Sequence, residues 1–412
     1  MNKIFQNKYI LVLGILAIIA AGISIYAFAA KSYSGNINKN PGTNNQELQP
    51  SPNKPQTSDN TNNTNNSNNQ ETQPQVTPIK EYKVKGVYLT GWSAGTEKTI
   101  NHFINLLNRT ELNTLVIDVK DDKGRVSYKS DVPLVNEIKS SQSMIKDIKS
   151  LLKKLKDNKI HTIARIVVFK DPVLGEKRPD LAIKTVKGQL WRDRNHAAWL
   201  NAYNKDSWRY SIDLAKEAAQ LGFDEIQFDY IRFPTDGNVK IIDYGSLSSG
   251  IDKTKPINEF LAQAKKELTP FGVPVSADVF GIITTNIGDV EKIGQDLETI
   301  SKDIDYISPM VYPSHYGSGQ YGISKPDLEP YKIVYKSLST AKARLDKLPD
   351  HKAKIRPYLQ DFSAPWLGKG NYKKYNAEDV KTQIKAAYDS GLDEWILWNA
   401  SNKYSESAFL SE

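Results

Sequence analysis

From residue 83 onward, short apolar runs alternate with longer stretches whose apolar residues recur every three to four positions. The runs 86–92, 114–119, 162–169, 225–233, 273–280, 306–312, 355–362 and 395–399 are strand-sized and continuously apolar, as buried parallel strands are. The stretches 97–108, 143–158, 207–221, 257–268, 290–301, 331–345 and 377–390 each carry one apolar stripe, the signature of a helix lying on a core. Eight strands with a helix between each and the next predict an α/β fold, a (β/α)8 TIM barrel over residues 81–412. An open, doubly wound sheet is the alternative. Against it, the segment after the first run, Gly91-Trp92-Ser93-Ala94-Gly95, lacks the glycine spacing that cradles a dinucleotide phosphate. The longest insertions, 171–203 and 235–256, follow strands three and four and so fall on the face where barrel sites form.

The first 80 residues follow a different pattern. Residues 9–30 are nearly all apolar and uncharged, with Lys3 and Lys8 before them, which predicts a signal peptide or an inside-positive signal anchor over 1–30. Ala27, Ala29 and Ala30 could form a cleavage site, but the run is long enough to span a bilayer, and a transmembrane anchor is preferred. Residues 31–80 are Asn, Thr, Ser, Gln and Pro with few large apolar side chains. Such a segment buries too little surface to offset ordering entropy, so a disordered linker is expected. The folded part is then extracytoplasmic, membrane-anchored through the N-terminal helix or secreted.

Composition narrows the chemistry. The chain has no cysteine, which removes disulfides, thiolate nucleophiles, lipidation at cysteine and thiolate-bound metals. Its net charge is +8, with lysines such as Lys146, Lys149, Lys153, Lys154 and Lys156 on one predicted helix. That spacing marks a solvated face and argues against a nucleic-acid partner. No H-E-x-x-H occurs, so a zinc peptidase scheme lacks its parts. No metal or cofactor is expected.

Candidate chemistry lies at the strand ends. Asp229 and Asp278 sit inside apolar runs, where an unpaired carboxylate would be costly. Alternation puts Gln227 with Asp229 on one face and Ser276 with Asp278 on another, so both acids can enter the barrel lumen from adjacent strands. Two carboxyls across a glycosidic bond supply an acid for the leaving oxygen and a nucleophile or base. Asp229 is assigned as nucleophile or base and Asp278 as general acid, its proton retained by burial and like-charge repulsion. Either aspartate could instead cap a loop or pair with Arg165 or Arg232. Asp118, Asp121 and Asp361 are candidates to position sugar hydroxyls or brace the pair. His315, Asn399 and Arg232 lie just past strand ends and are candidate substrate contacts. Trp92, Tyr230, Tyr312, Tyr316, Trp366, Trp395 and Trp398 cluster at the same ends, where flat rings can stack on sugars, Tyr312 and Trp398 foremost.

The strings Ile117-Asp118-Val119-Lys120-Asp121-Asp122-Lys123-Gly124, Gln227-Phe228-Asp229-Tyr230-Ile231-Arg232-Phe233-Pro234, Ser276-Ala277-Asp278-Val279-Phe280-Gly281, Pro309-Met310-Val311-Tyr312-Pro313-Ser314-His315 and Trp398-Asn399-Ala400-Ser401 resemble, in this order, the glycoside hydrolase family labelled domain of unknown function 4015. The resemblance covers roughly residues 85–404. It implies a barrel related to α-amylase-like and other retaining or inverting hydrolases, with acids after strands four and five. Strand four also resembles, more loosely, that of chitinases, but Ile231 stands where the chitinase acid would be. The expected function is a glycosidase cutting an envelope or extracellular polysaccharide. A non-catalytic carbohydrate-binding barrel and a transglycosylase are the competing readings.

Overall fold

A computed structural model describes residues 82–285 and 290–410. The predicted signal or anchor segment and linker lie outside the described residues, and among these no helix is long and apolar enough to cross a membrane. Eight staves form one closed parallel barrel: β1 (Lys85–Leu89), β2 (Thr114–Lys120), β3 (His161–Val167), β4 (Glu225–Asp229), β5 (Val275–Phe280), β6 (Tyr306–Met310), β7 (Tyr358–Gln360) and β8 (Trp395–Trp398). Neighbours in sequence are neighbours in the sheet, and β8 pairs with β1 to close it, Gly86 beside Ile396. The seventh stave is split. Lys354–Ile355 pairs with the start of β6, and β7 resumes after Arg356 and Pro357, because proline offers no N–H to the ladder.

Outward-facing residues of the staves, such as Leu115, Ile117, Ala164 and Ile226, pack under the helices in the main apolar layer. A second cluster, Val84, Tyr88, Val116, Ile163, Tyr312, Tyr358 and Ile396, fills the lumen. The longer helices are α1 (Glu97–Leu107), α2 (Ile148–Asp157), α3 (Asp206–Leu221), α4 (Thr254–Leu268), α5 (Pro330–Leu345) and α6 (Ala377–Asp389). Each presents its stripe inward, as α2 does with Ile148, Leu151, Leu152 and Leu155; burying such a side chain contributes about 1.5–3 kcal/mol. Asp147 accepts from Ser150 N at 3.0 Å and so starts α2 later than its apolar pattern suggests. The helix expected over 290–301 is two short turns, Val290–Ile293 and Leu297–Ile300. Gly294, at φ 75°, ends the first and Asp296 caps the second.

The end of the barrel opposite the strand C-termini is closed by buried charge. Arg356 donates to both oxygens of Glu225 at 2.8 and 2.9 Å and to Glu394 at 3.0 Å, and the Tyr306 ring lies 3.6 Å from its guanidinium. Burial raises the Glu225 acid, but the Arg356 charge, together with His161 and the Ser276 hydroxyl, outweighs it and holds that acid at about 2. The insertion after β3 and the one after β4 join through the antiparallel pairs Lys184–Asp243 and Thr185–Ile242, forming a wall beside the barrel mouth.

Candidate active site

Register brings the inward polar residues of four staves to one level. Asp118 on β2 stands opposite Arg165 on β3, Arg165 opposite Gln227 and Val167 opposite Asp229 on β4, and Asp278 on β5 opposite Ser308 on β6. Gln227 is paired with Ser276 and Phe228 with Ala277, so the next step along both staves sets Asp229 beside Asp278. A bulge in β2 after Asp118 shifts the alternation. It lets Lys120 pair with buried Asp171 at 2.6 Å and lie over the Tyr210 ring at 4.7 Å, away from the acids.

Arg165 is the hub of this level. Its Nη1 donates to Asp118 Oδ1 at 2.6 Å, and its Nε donates to Asp229 Oδ2 at 3.1 Å while Nη2 donates to the same oxygen. The same Nε lies 3.9 Å from Asp278 Oδ2. Tyr88 and Trp398, stacked at 3.8 Å between centroids, support the guanidinium from 5.4 and 5.1 Å. Tyr88 also donates its hydroxyl to Asp118 Oδ2 at 2.6 Å.

The three acids differ in environment. Burial pushes the Asp118 acid up to about 6, against the opposing pull of Arg165 and the Tyr88 hydroxyl. Asp229 is held in the Arg165 ion pair, and its other oxygen accepts from Tyr230 N at 2.5 Å. Tyr230 itself takes φ 52°, a left-handed conformation that costs a residue with a Cβ about 1–2 kcal/mol. Asp278 is 1 % exposed. Burial first, and then the charge of Asp229, raise its acid well above the usual carboxyl range, with Arg165 opposing. Its Oδ1 has no hydrogen-bond partner among the described residues. One ion-paired carboxylate thus stands beside one carboxyl whose hold on a proton is raised.

The Tyr312 hydroxyl is buried and likewise without a partner. Burial, then the charges of Asp278 and Asp229, push it upward, so it stays a hydrogen-bond donor. His315 packs edge-on against Tyr312 at 5.0 Å, and burial lowers its imidazole to about 4, leaving it neutral. Arg232 lies against Phe280, Trp199 and Tyr230 just past β4. Gln295 ties the loops after β4 and β5 together, donating to the Ile231 and Asp278 carbonyls at 3.4 and 3.3 Å and accepting from Phe280 N at 2.9 Å.

Other residues singled out from the sequence hold loops. Asp121 accepts from Arg125 Nε and Nη2 at 2.8 and 2.6 Å and from two backbone N–H groups of its own turn. Asp361 accepts from Ser405 N and Oγ at 2.7 and 2.9 Å, pinning the C-terminal segment. Asn399 donates to the Asp361 and Lys403 carbonyls and accepts from Ser401. Trp92 is 55 % exposed on the rim. Sequence reasoning gave Arg165 only a minor part; an arginine in the middle of the apolar run 162–169 was the available signal.

Solved structures resemble this chain. A hypothetical protein from Ruminiclostridium thermocellum ATCC 27405 is 50% identical, the match covering 47% of this chain and 97% of that one with a TM-score of 0.44. The glycoside hydrolase domain of PgaB (BpsB) from Bordetella bronchiseptica is 13% identical over 79% of this chain and 98% of that one, with a TM-score of 0.53, a likeness of fold. The spore cortex-lytic enzyme SleL from Bacillus megaterium QM B1551 is 14% identical over 80% and 74% of the two chains, with a TM-score of 0.44. A comparison with curated proteins gives no match. The family model DUF4015 matches residues 86–404, nearly the whole barrel. The chain therefore belongs to that family, described as "Putative glycosyl hydrolase domain", and is an enzyme of the glycosidase class.

Proposed function

We propose that this glycosidase cleaves an envelope or extracellular polysaccharide, with Asp278 as general acid and Asp229 as nucleophile or base. One observation carries the assignment: a single guanidinium, Arg165, is bonded to Asp229 and stands 3.9 Å from Asp278, and only Asp278 keeps an oxygen without a partner. Its retained proton can pass to the leaving oxygen while Asp229 meets the positive charge developing on the sugar ring. Arg165 and Tyr230 N fix the Asp229 carboxylate in place, which lowers the cost of reaching the reacting geometry. The partly exposed Trp398 ring, stacked on buried Tyr88, is a flat apolar group beside the acids for a sugar face. The polysaccharide and its location rest on the N-terminal sequence, where an export segment and a polar spacer precede the barrel.

The test is a screen of the full-length chain against fractionated cell-wall glycans and exopolysaccharides, alongside Asp229→Asn and Asp278→Asn. Sugar release by the native chain that both variants lose supports the assignment. Equal release by all three would exclude the pair from the chemistry.

A further inference from the structure

Among the described residues, four lysine or arginine side chains are buried: Lys120, Arg165, Arg232 and Arg356. Lys120 is paired with Asp171, Arg165 with Asp118 and Asp229, and Arg356 with Glu225 and Glu394. Arg232 breaks the pattern. It is 8 % exposed, its one hydrogen bond runs from Nη1 to the Phe233 carbonyl at 3.0 Å, and no described carboxylate lies within 4.0 Å of it. Three rings surround it instead, with centroids 4.4 Å (Phe280), 4.9 Å (Trp199) and 5.1 Å (Tyr230) from the guanidinium.

The nearby acids are engaged elsewhere. Asp229 is bonded to Arg165 and Tyr230 N. Asp193 accepts from Asn195 N, Ala197 N and the Trp199 indole. Burial, and then the charge of Asp193, raise the acid of Asp236, which weakens it as a counter-charge. Burial also pulls the Arg232 guanidinium below its usual range in spite of the surrounding acids. A buried guanidinium in that state gains from an anion that brings its own charge, and its planar fork fits a carboxylate through two parallel N–H bonds.

Position decides which anion. Arg232 is three residues beyond Asp229, and Phe280 is two beyond Asp278, so Arg232, Tyr230 and Phe280 extend from the two staves that carry the acids, with Trp199 closing the cage from the insertion after β3. We infer that Arg232 and its three rings form a subsite for a sugar bearing a carboxylate, placed beside the bond to be cut, so that the enzyme acts on an acidic glycan. This rests on the assignment of Asp229 and Asp278 as the reacting pair, because that pair defines where the bond lies. The rings keep water from the guanidinium, which strengthens its attraction for a carboxylate over that of a surface arginine.

The test uses a glucuronic acid tetramer and its carboxyl-reduced, neutral counterpart as probes. Each is titrated calorimetrically into the full-length chain carrying Asp278→Asn, which blocks turnover. The acidic tetramer is expected to bind on the order of tenfold tighter, with the difference shrinking as salt is raised. Arg232→Gln removes the preference, and Arg232→Lys, which keeps the charge and loses the fork, retains only part of it. Equal binding of the two tetramers, binding of neither, or a preference that survives Arg232→Gln overturns the inference. The salt series leaves Arg232 intact, so a variant that fails to fold does not decide the outcome. Undiminished hydrolysis by Asp278→Asn would sink the acid-pair assignment separately, with the carboxylate preference still measurable.

Discussion

Arg165 and Asp229 are joined through two N–H groups of the guanidinium converging on one carboxylate oxygen, so the catalytic candidate is held by a residue two staves' ends can reach at once. Arg165 also neutralises Asp118. Arg165→Met should therefore leave two buried carboxylates uncompensated and lower stability by roughly 3–5 kcal/mol, measured as a shift in the urea midpoint at neutral pH. A change below about 1 kcal/mol would mean that the network does not hold the site together.

Asp278→Asn and Asp229→Asn should separate stability from chemistry. Asparagine mimics a protonated aspartic acid, the form in which burial keeps Asp278, so Asp278→Asn should unfold at nearly the native urea concentration. Asp229→Asn removes half of an ion pair and should be the less stable of the two. Each should lose about 10²- to 10⁴-fold in kcat/KM on a cleaved glycan. Loss of stability in Asp278→Asn without loss of rate would make Asp278 a structural residue and exclude it from the chemistry.

Asp118 gives a pH prediction. Its acid stands at about 6 in the fold against about 3.9 in the unfolded chain, so the folded protein binds the proton more tightly. That contribution is fully present below pH ~4 and is lost as pH rises through ~6, which amounts to roughly 3 kcal/mol for two pKa units. Stability of the native chain measured from pH ~4 to ~7 should fall relative to Asp118→Asn by that order. Parallel curves for the two proteins would show that Asp118 ionises normally.

Tyr312→Phe removes a buried hydroxyl that has no partner among the described residues. Stability should hold or rise by up to about 1 kcal/mol, since the group removed was unsatisfied. If that hydroxyl meets substrate, kcat/KM falls about tenfold. Unchanged kinetics would place the hydroxyl outside the binding site.

The barrel was legible from residue pattern because a parallel stave covered on both faces is almost wholly apolar, and the runs that became β1 to β8 stand out for that reason. The interruptions were harder to see. Pro357 splits the seventh stave and Gly294 breaks the helix expected over 290–301, each a single backbone constraint inside a longer apolar pattern. At the site, alternation placed Asp229 and Asp278 on inward faces, but it could not tell that Asp121 and Asp361 spend their oxygens on Arg125 and Ser405. Side-chain to backbone bonds of that kind depend on turn geometry, which leaves no periodic trace. Arg165 was underweighted because its role comes from three acids on three other staves.

The Arg356 cluster has a bearing on traffic through the molecule. With that far end corked by charged groups gripping one another, the cylinder works as a cup with one opening. Anything that binds at the level of Arg165 must arrive and depart over the same lip, beside the wall made by the joined insertions.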